Sequence, residues 1–402
     1  MPRSITVSAV AHIRSGDVPT SVPHPRLQTL RMACRRVLEA APVHAIHEQL
    51  HPQLSPSAWH VGHTHFVEAL WLRSRLLEDG ADLLPLEALY LPEQCPKAER
   101  GGRLPDLRAL SQWCDAMSEQ ADAAWIQAAG RWSHHGMISS GYLLGFVTQH
   151  YAQHLEILRM VQQVAAAAAA TDLGSHTALQ AEAPSECWQH LPGRHIEVGD
   201  LPNSPAPYDN ELGHHRVELP GFHIARMPVS NGQWLAFMLA GGYERAELWS
   251  QAGWVWRQQL GTAAPFHWRK RPDGWFAVLP QGGLQSLRSD EPVYGICHHE
   301  ASAFACWRRA RLPHELEWLT ARRERQLDAA GKVWEWCANA LYPYPGFRAF
   351  PYPGYTLPWC DGGHYVLKGG SRWTEPEIRR DSFRNFYTAD MRHIFAGLRL
   401  AR

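Results

Sequence analysis

Residues 140–170 read SGYLLGFVTQHYAQHLEILRMVQQVAAAAAA, and this stretch decides the fold of the first half of the chain. Its apolar residues recur at spacings of three and four, which is typical of a long helix with one apolar face. The same periodicity predicts helices over 27–41, 57–77 and 106–129. Four such helices in succession predict a four-helix bundle over residues 25–170.

The second of these helices carries a start signal in Ser55-Pro56-Ser57. A serine hydroxyl at this point can accept hydrogen bonds from the free backbone N–H groups, and proline is well tolerated in a first turn. We therefore expect the helix to begin here with a hydroxyl cap.

The pattern changes after the bundle. Residues 171–215 are rich in Ala, Ser, Pro, Gly and His, and are expected to form a linker. A second domain is expected over 216–402, and residues 1–24 form a short extension before the bundle. The chain is thus predicted to be an α+β protein with more than one domain, in line with its 402 residues.

Short elements are expected in the second domain. Residues 216–238 read RVELPGFHIARMPVSNGQWLAFM, which alternates like a strand, turns at Pro228 and enters a helix after the N-cap candidates Ser230 and Asn231. In the sequence after residue 238, Gly, Pro and Trp recur at short intervals. This stretch predicts only two further short helices, over 301–310 and 314–323.

Charge and cysteine usage exclude several classes of protein. Lys plus Arg and Asp plus Glu are both 39, so no global charge excess favours nucleic acid or an anionic membrane surface. No window approaches the ~18 apolar residues of a membrane span, and we expect a soluble cytoplasmic protein. The 8 cysteines contain no CxxC pair, which argues against a zinc ribbon or a dense disulfide framework.

Histidines on two predicted helices suggest a metal site. His150 and His154 are four residues apart, so they lie on one helix face and can offer two imidazoles to one cation. Two ligands hold a metal poorly, and the second helix offers three candidates for a third. His60 and His63 share a face of that helix, whereas His65 points elsewhere. Inward side chains on facing helices are the usual way in which a bundle builds a metal site.

These residues resemble the iron-dependent sulfoxide synthases of ergothioneine biosynthesis. Residues 55–63 (SPSAWHVGH) are similar to the family's first ligand segment, and 150–156 (HYAQHLE) to its HxxxHxE motif. Further motifs follow in the family's order in the second half of the chain: 227–231 (MPVSN), 311–318 (RLPHELEW), 331–336 (GKVWEW), 368–371 (KGGS), 384–386 (RNF) and 395–399 (FAGLR).

The resemblance implies a fold. In the family, a DinB-like four-helix bundle precedes a formylglycine-generating-enzyme-like domain of the C-type-lectin type. The motifs of the second half are largely core and turn elements shared with all such domains, so they indicate architecture more than chemistry. The copper oxidase activity of the formylglycine-generating enzyme itself is not expected, since residues 379–392 contain none of its paired cysteines.

The resemblance also implies a metal centre and substrates. His63, His150 and His154 would be the facial triad of a ferrous ion, with open positions for dioxygen and a thiolate or selenolate. The family's other substrate is hercynine, the betaine of histidine, which receives the chalcogen at imidazole C2. Its quaternary ammonium cannot donate a hydrogen bond and is held by aromatic faces and negative dipoles.

Further site residues are carried over position by position. Gln153 and Phe386 match family positions that contact hercynine, and Asn385 and Tyr387 flank Phe386 in the same motif. The family uses a tyrosine of the second domain as a proton donor. Two tyrosines of residues 350–355 (FPYPGY), Tyr352 and Tyr355, lie in the corresponding loop, and the sequence does not choose between them.

The chain departs from the family where a γ-glutamylcysteine donor would bind. The expected arginine-bearing segment reads PKAERGGRLP over 96–105, and Tyr387 and Met391 follow the RNF motif where the family has an Asp and an Arg. Methionine cannot replace a bidentate arginine clamp on a carboxylate. The sequence is therefore closer to the selenoneine synthases, whose donor is a neutral selenosugar. Lys97, Arg100 and Arg103 stay candidates for donor contacts.

Three hypotheses result. The first is an iron- and dioxygen-dependent selenoneine synthase that joins hercynine to a selenosugar. The second is an ergothioneine-pathway sulfoxide synthase that uses cysteine or γ-glutamylcysteine. The third is a DinB-type metal-dependent thiol transferase, or a lectin-like binding module without catalysis, neither of which would consume oxygen. All three have small-molecule ligands, and none involves nucleic acid or a membrane.

Overall fold

A computed structural model describes residues 24–42, 45–169, 179–183, 185–199, 206–261, 263–272 and 274–402. The expected extension over 1–24 lies almost wholly outside these residues, as does the part of the expected linker over 171–178. The chain divides into two compact units, Met1–Ala165 with Pro202–Pro207 and Ala166–Leu201 with Tyr208–Arg402. No helix among the described residues is long and apolar enough to cross a bilayer.

The first unit is helical. Its α-helices are α1 (Pro25–Glu39), α2 (Ser57–Ala69), α3 (Leu84–Tyr90), α4 (Lys97–Arg103), α5 (Leu107–Arg131), α6 (Gly136–Ser139) and α7 (Tyr142–Ala169). A π-helix over Leu70–Leu76 continues directly from α2. The helix expected over 57–77 is therefore two helical forms in succession, and π-helical turns of this kind are frequent at functional sites.

Helix α2 is the centre of the unit, because each of its residues is buried. Its start differs from the sequence expectation: Pro56 occupies the N-cap and no side chain caps the helix. The Ser55 hydroxyl instead accepts a hydrogen bond from Arg100 Nη1. Ser55, which the local pattern assigns to helix capping, thus forms a hydrogen bond with a residue distant in the chain instead.

A helix buried on all sides must pair its polar groups inside the protein. Glu68 does so with a network in which Arg31 Nε donates to one carboxylate oxygen at 2.9 Å and Tyr151 Oη donates to the same oxygen at 3.0 Å. Trp125 Nε1 donates to the other oxygen at 2.9 Å. This network links α1, α5 and α7 to α2. Apart from Glu68, the titratable side chains of α2 are its histidines, which are also buried.

The second unit mixes short helices and strands. Its helices are α8 (Asn231–Leu239), α9 (Gln251–Leu260), α10 (His298–Trp307) and α11 (Glu315–Arg323), with 3-10 turns at Asp209–Glu211, Ala246–Leu248, Leu357–Trp359 and Pro376–Ile378. Its strands are β1 (Trp188–Leu191), β2 (Arg194–Val198), β3 (His215–Leu219), β4 (Phe222–Ala225), β5 (Trp268–Arg271), β6 (Gly274–Val278), β7 (Leu284–Ser286), β8 (Trp334–Ala340), β9 (His364–Lys368), β10 (Asn385–Thr388) and β11 (Ala396–Gly397).

These strands form several small sheets. The largest has the order β10-β9-β8-β11, antiparallel except that β11 runs parallel to β8. Strands β5, β6 and β7 form an antiparallel meander, while β1 pairs with β4 and β2 with β3. A mixed helix and sheet architecture for the second half agrees with the α+β expectation.

Two details of the second half differ from the sequence expectation. The segment expected as a linker over 171–215 contains β1 and β2, and their residues pair with residues of β4 and β3 that lie 17 to 37 positions further along the chain. Helix α9 was not expected at all. Its start is fixed by Ser250, whose hydroxyl accepts a hydrogen bond from the Gly253 backbone N–H, in a stretch whose tryptophans hid the helical period.

Buried ion pairs join the elements of the second unit. Arg399 forms two hydrogen bonds of 2.8 Å with Glu335, and both side chains are completely buried. Arg384 is paired in the same bidentate way with Glu315. Other pairs of this type are Arg392 with Glu300 and Arg380 with Glu211. These residues are structural because each buried charge is satisfied by another.

Candidate metal centre

Three imidazoles meet in the first unit. His63 comes from α2, and His150 and His154 come from α7; one ring nitrogen from each lies within 4.8 Å of the others. The Nε2 atoms of His63 and His150 are 3.2 Å apart. Two nitrogens bonded to one first-row metal at about 2.1 Å and at a right angle would be about 3 Å apart, so this pair has the spacing that a shared ion requires.

The elements explain why these rings converge. His150 and His154 are one turn apart on α7, and their ring centroids are 4.5 Å apart. The His63 ring lies 5.0 Å from that of His150 and 4.8 Å from that of His154. His63 is buried, whereas His150 and His154 are partly exposed, so the group is open on one side.

The orientation of His63 is fixed by its neighbours. Its Nδ1 lies 2.7 Å from the backbone carbonyl oxygen of Tyr90, which places the ring proton there and leaves Nε2 bare. The ring also stacks on Trp59 at 4.5 Å with an interplanar angle of 14°. Trp59 is held in turn by its own N–H, which donates to the Leu89 carbonyl oxygen at 2.8 Å.

The electrostatics favour a metal over a proton. Burial lowers the pKa of His63 to about 4, and the hydrogen bond to Tyr90 opposes this only in part. The pKa values of His150 and His154 also lie well below the ordinary value, first because of burial and then because of the neighbouring imidazoles. All three rings are therefore neutral near pH 7, and each keeps a lone pair available for a cation.

The three residues of α4 that are candidates for contacts with the chalcogen donor differ in their burial. Arg100 is buried, and it stacks over Trp59 with its guanidinium carbon 3.7 Å from the ring centroid. Its nitrogens also donate to the carbonyl oxygens of Cys95 and Pro92. These contacts engage Nε, Nη1 and Nη2 inside the unit, and the assignment of Arg100 to the donor stays a prediction. Arg103 and Lys97 are exposed, and Lys97 Nζ donates to the Gln53 carbonyl oxygen.

Gln153, the hercynine candidate on α7, is half-buried and lies in the same helical turn as His150 and His154. Residues three apart on a helix are neighbours, so Gln153 lies beside His150 on the surface of α7. Its assignment to hercynine stays a prediction.

The second-domain candidates lie around β10. Tyr355 stacks on Tyr208 at 4.0 Å, and its ring is 6.4 Å from that of Phe386. Asn385 and Tyr387 flank Phe386 on the strand, and Asn385 accepts a hydrogen bond from the Phe386 backbone N–H. The second unit thus brings Tyr355 together with the RNF motif.

Tyr352 differs from Tyr355 in its surroundings, since 39% of its surface is exposed. Stacking on a neighbour holds the ring of Tyr355 in a defined place. The ring of Tyr355 makes an edge contact with that of Phe386. The catalytic role of either stays a prediction.

Comparison with known proteins gives the family. The model of the sulfatase-modifying factor enzyme 1-like domain matches residues 180–327 and 326–402. The hercynine oxygenase of Mycolicibacterium thermoresistibile is 32% identical over 421 aligned positions, which cover 89% of this chain and 89% of that protein. The chain belongs to the hercynine oxygenase family. The family member of Mycobacterium tuberculosis is 32% identical over 88% of this chain and 92% of its own length.

A more distant relative has a name that refers to a pathway. The ergothioneine biosynthesis protein 1 of Schizosaccharomyces pombe is 27% identical over 48% of this chain and 27% of that protein. The resemblance to the ergothioneine-type enzymes is thereby confirmed at the level of the hercynine oxygenase family. These names favour the second hypothesis over the selenosugar reading that the sequence placed first.

Sequence reasoning missed the surroundings of the histidines in this hercynine oxygenase family member. Trp59 and His63 are four residues apart, so the stacking of one on the other could have been expected from helical spacing. The roles of Tyr90 and Arg100 could not, because they come from other helices through a backbone carbonyl and a cation–π contact. No local sequence pattern predicts such partners.

Proposed function

We propose that this protein is an iron- and dioxygen-dependent enzyme that joins hercynine, through C2 of its imidazole ring, to the sulfur of a small thiol. The observation that carries the proposal is the convergence of neutral His63, His150 and His154 in the first unit. The relatives named hercynine oxygenase support hercynine as substrate.

The chemistry of the three donors suits iron. Three neutral imidazoles without a carboxylate leave the charge of a divalent ion largely uncompensated, which favours an anionic thiolate as a further ligand. When bound, a ferrous ion would supply open coordination positions and the redox chemistry that couples dioxygen to formation of the carbon–sulfur bond. In the overall reaction C2–H and S–H are lost, a sulfoxide forms, and the second oxygen atom leaves as water.

The residues of the chain have assigned tasks in this proposal. The Tyr90 carbonyl and the Trp59 ring keep Nε2 of His63 bare and in place. We assign Gln153 and Asn385, each as a separate prediction, to polar contacts with hercynine, and the ring of Phe386 to its quaternary ammonium, which an aromatic face attracts by about 0.5 to 2 kcal/mol. Tyr355 is the phenol that we assign as proton donor, since its ring is held beside Phe386.

A second candidate has a selenosugar as donor. It is favoured by the pairing of the cations around the RNF motif. Arg384, the first residue of the motif, and Arg392, which follows it, are held in bidentate pairs with Glu315 and Glu300. Met391 occupies the position where the family has an arginine. A donor without carboxylates would need no cation there.

Oxygen uptake tests the proposal. Freshly purified protein with Fe(II), hercynine and a thiol should consume dioxygen and form a product with the mass of the sulfoxide, and omission of hercynine should abolish both. A protein that binds its ligands without consuming oxygen would contradict the proposal.

The donor is decided by competition. Cysteine, γ-glutamylcysteine and a selenosugar are supplied together, and the products are separated by mass. A predominance of the sulfur products supports the main proposal, whereas a predominance of the carbon–selenium product supports the second candidate. His63→Ala is the control, because either reaction should stop without this ligand.

A further inference from the structure

His60 is a second histidine of α2 that faces the metal-binding group, and the site proposed above gives it no task. It is 95% buried, and its Nδ1 lies 3.0 Å from Nδ1 of His154. The two rings have centroids 5.1 Å apart and are tilted by 53°. A distance of 3.0 Å between two ring nitrogens that do not share a metal ion requires a proton on one of them and a lone pair on the other.

The position of that proton follows from the ligand role of His154. A neutral imidazole has one proton, so a ring that offers one nitrogen to a metal must carry its proton on the other. The Nδ1 of His154 is occupied by the contact with His60, which leaves Nε2 to face the metal. His154 Nδ1–H therefore donates, and Nδ1 of His60 accepts. His60 then carries its own proton on Nε2.

The same logic is visible at His63, whose Nδ1–H donates to the Tyr90 carbonyl oxygen at 2.7 Å. A metal-bound histidine that donates its second N–H to a fixed acceptor is held in one tautomer and one orientation. The site thus contains two ligands with such acceptors. One acceptor is a backbone carbonyl, and the other is a side chain that can be exchanged by mutation.

We propose that His60 is the positioning residue of the metal centre, which accepts the Nδ1–H of His154 and so presents Nε2 of His154 to the ion. The inference deepens the proposed function and rests on it, because it takes His154 as a ligand. His60 is not itself a ligand in this arrangement. It acts on the metal only through His154.

The strength of the acceptor has a consequence for the metal. A neutral imidazole accepts less strongly than a carboxylate, so His154 stays a less basic ligand than it would be beside an aspartate. His60→Asp should therefore make the Fe(III)/Fe(II) reduction potential more negative. The negative charge of the aspartate would itself lower the potential, so the potential is read together with the Fe(II) affinity and the ring N–H resonances described below.

Metal affinity tests the inference directly. In His60→Leu the acceptor is lost, and the dissociation constant for Fe(II) should rise about 10- to 100-fold, the usual effect of removing an outer partner of a ligand. In His60→Asn the amide oxygen can replace Nδ1 as acceptor, and the constant should stay within about threefold of wild type.

His65 supplies the matched control. It is buried on the same helix, and its Nδ1 contacts the Val61 carbonyl oxygen at 2.9 Å, away from the metal-binding group. His65→Leu should leave the Fe(II) affinity unchanged. Circular dichroism of each variant shows whether it is folded, and His60→Asn keeps the test open if the leucine variant is not.

Proton resonances of the Co(II)-loaded protein give a second measurement. Ring N–H protons of the ligands are shifted far downfield and exchange slowly when they are hydrogen-bonded. One such signal should be lost in His60→Leu and retained in His60→Asn. Signals from four imidazole ligands in the wild type, or an unchanged spectrum and affinity in His60→Leu, would overturn the inference. A wild-type protein that binds neither ion would instead refute the proposed metal site.

Discussion

The two units of this protein bury polar side chains in opposite ways. In the second unit, buried Arg399 and Glu335 neutralise each other with two hydrogen bonds, and Trp318 completes the group by donating to Glu335 at 2.8 Å. In the first unit, the rings of His63, His150 and His154 face one another with bare nitrogens and no carboxylate among them. The first arrangement neutralises its own charges, whereas the second offers lone pairs that can bind a cation.

The difference distinguishes polar groups that are buried in the interest of stability from polar groups that are buried to bind a ligand. The two members of a buried ion pair neutralise each other. We therefore expect a substitution in such a pair to change folding stability and not metal binding. Converging acceptors without a donor are costly unless a cation or a proton joins them, and the depressed pKa values of these histidines oppose the proton. The comparison therefore predicts that variants of the two units fail in different measurements.

The largest expected effect comes from His154→Ala. Outer partners of ligands typically contribute 10- to 100-fold to metal affinity, so loss of a ligand should weaken Fe(II) binding by more than about 100-fold and abolish turnover. The iron content of the purified variant and its oxygen uptake measure this. His65→Ala is the control, because His65 is a buried histidine of α2 that faces away from the metal-binding group. Full iron content in His154→Ala would remove this residue from the site.

The next largest effect concerns stability. Glu335→Ala leaves the completely buried Arg399 guanidinium without its partner, which should lower the free energy of unfolding by about 3 to 5 kcal/mol. Urea denaturation followed by tryptophan fluorescence measures the loss. Asp290→Ala breaks an exposed pair with Arg288 and should have no measurable effect. Equal losses in the two variants would mean that burial of the pair is not what matters.

The smallest effect is expected at Arg100, a buried cation of the first unit that is held by carbonyl oxygens and an aromatic face. Arg100→Lys keeps the charge but loses the planar stack on Trp59 and the fork of donors, at a cost of about 1 to 2 kcal/mol. Thermal unfolding measures it. Arg103→Lys, an exposed change on the same helix, should leave the transition in place. Unchanged stability of Arg100→Lys would show that the stack contributes nothing.

Local patterns predicted the helical half of the fold well. The periodicity of residues 140–170 anticipates α7, because a helix period and an i, i+4 histidine pair are properties of neighbouring residues. The same patterns failed for β1 and β2, whose pairing with β4 and β3 is set by contacts distant in the chain. They failed for α9 because its tryptophans mask the period.

The order of residues is enough to predict which residues offer imidazoles and on which helices they lie, since side-chain chemistry and helical spacing are local properties. Only the tertiary structure decided which ring of α2 meets His150 and which meets His154. The stacking of Arg100 on Trp59 is likewise set by tertiary structure. The physical reason is that these outcomes depend on how separate helices pack, and packing is governed by side chains that are far apart in the chain.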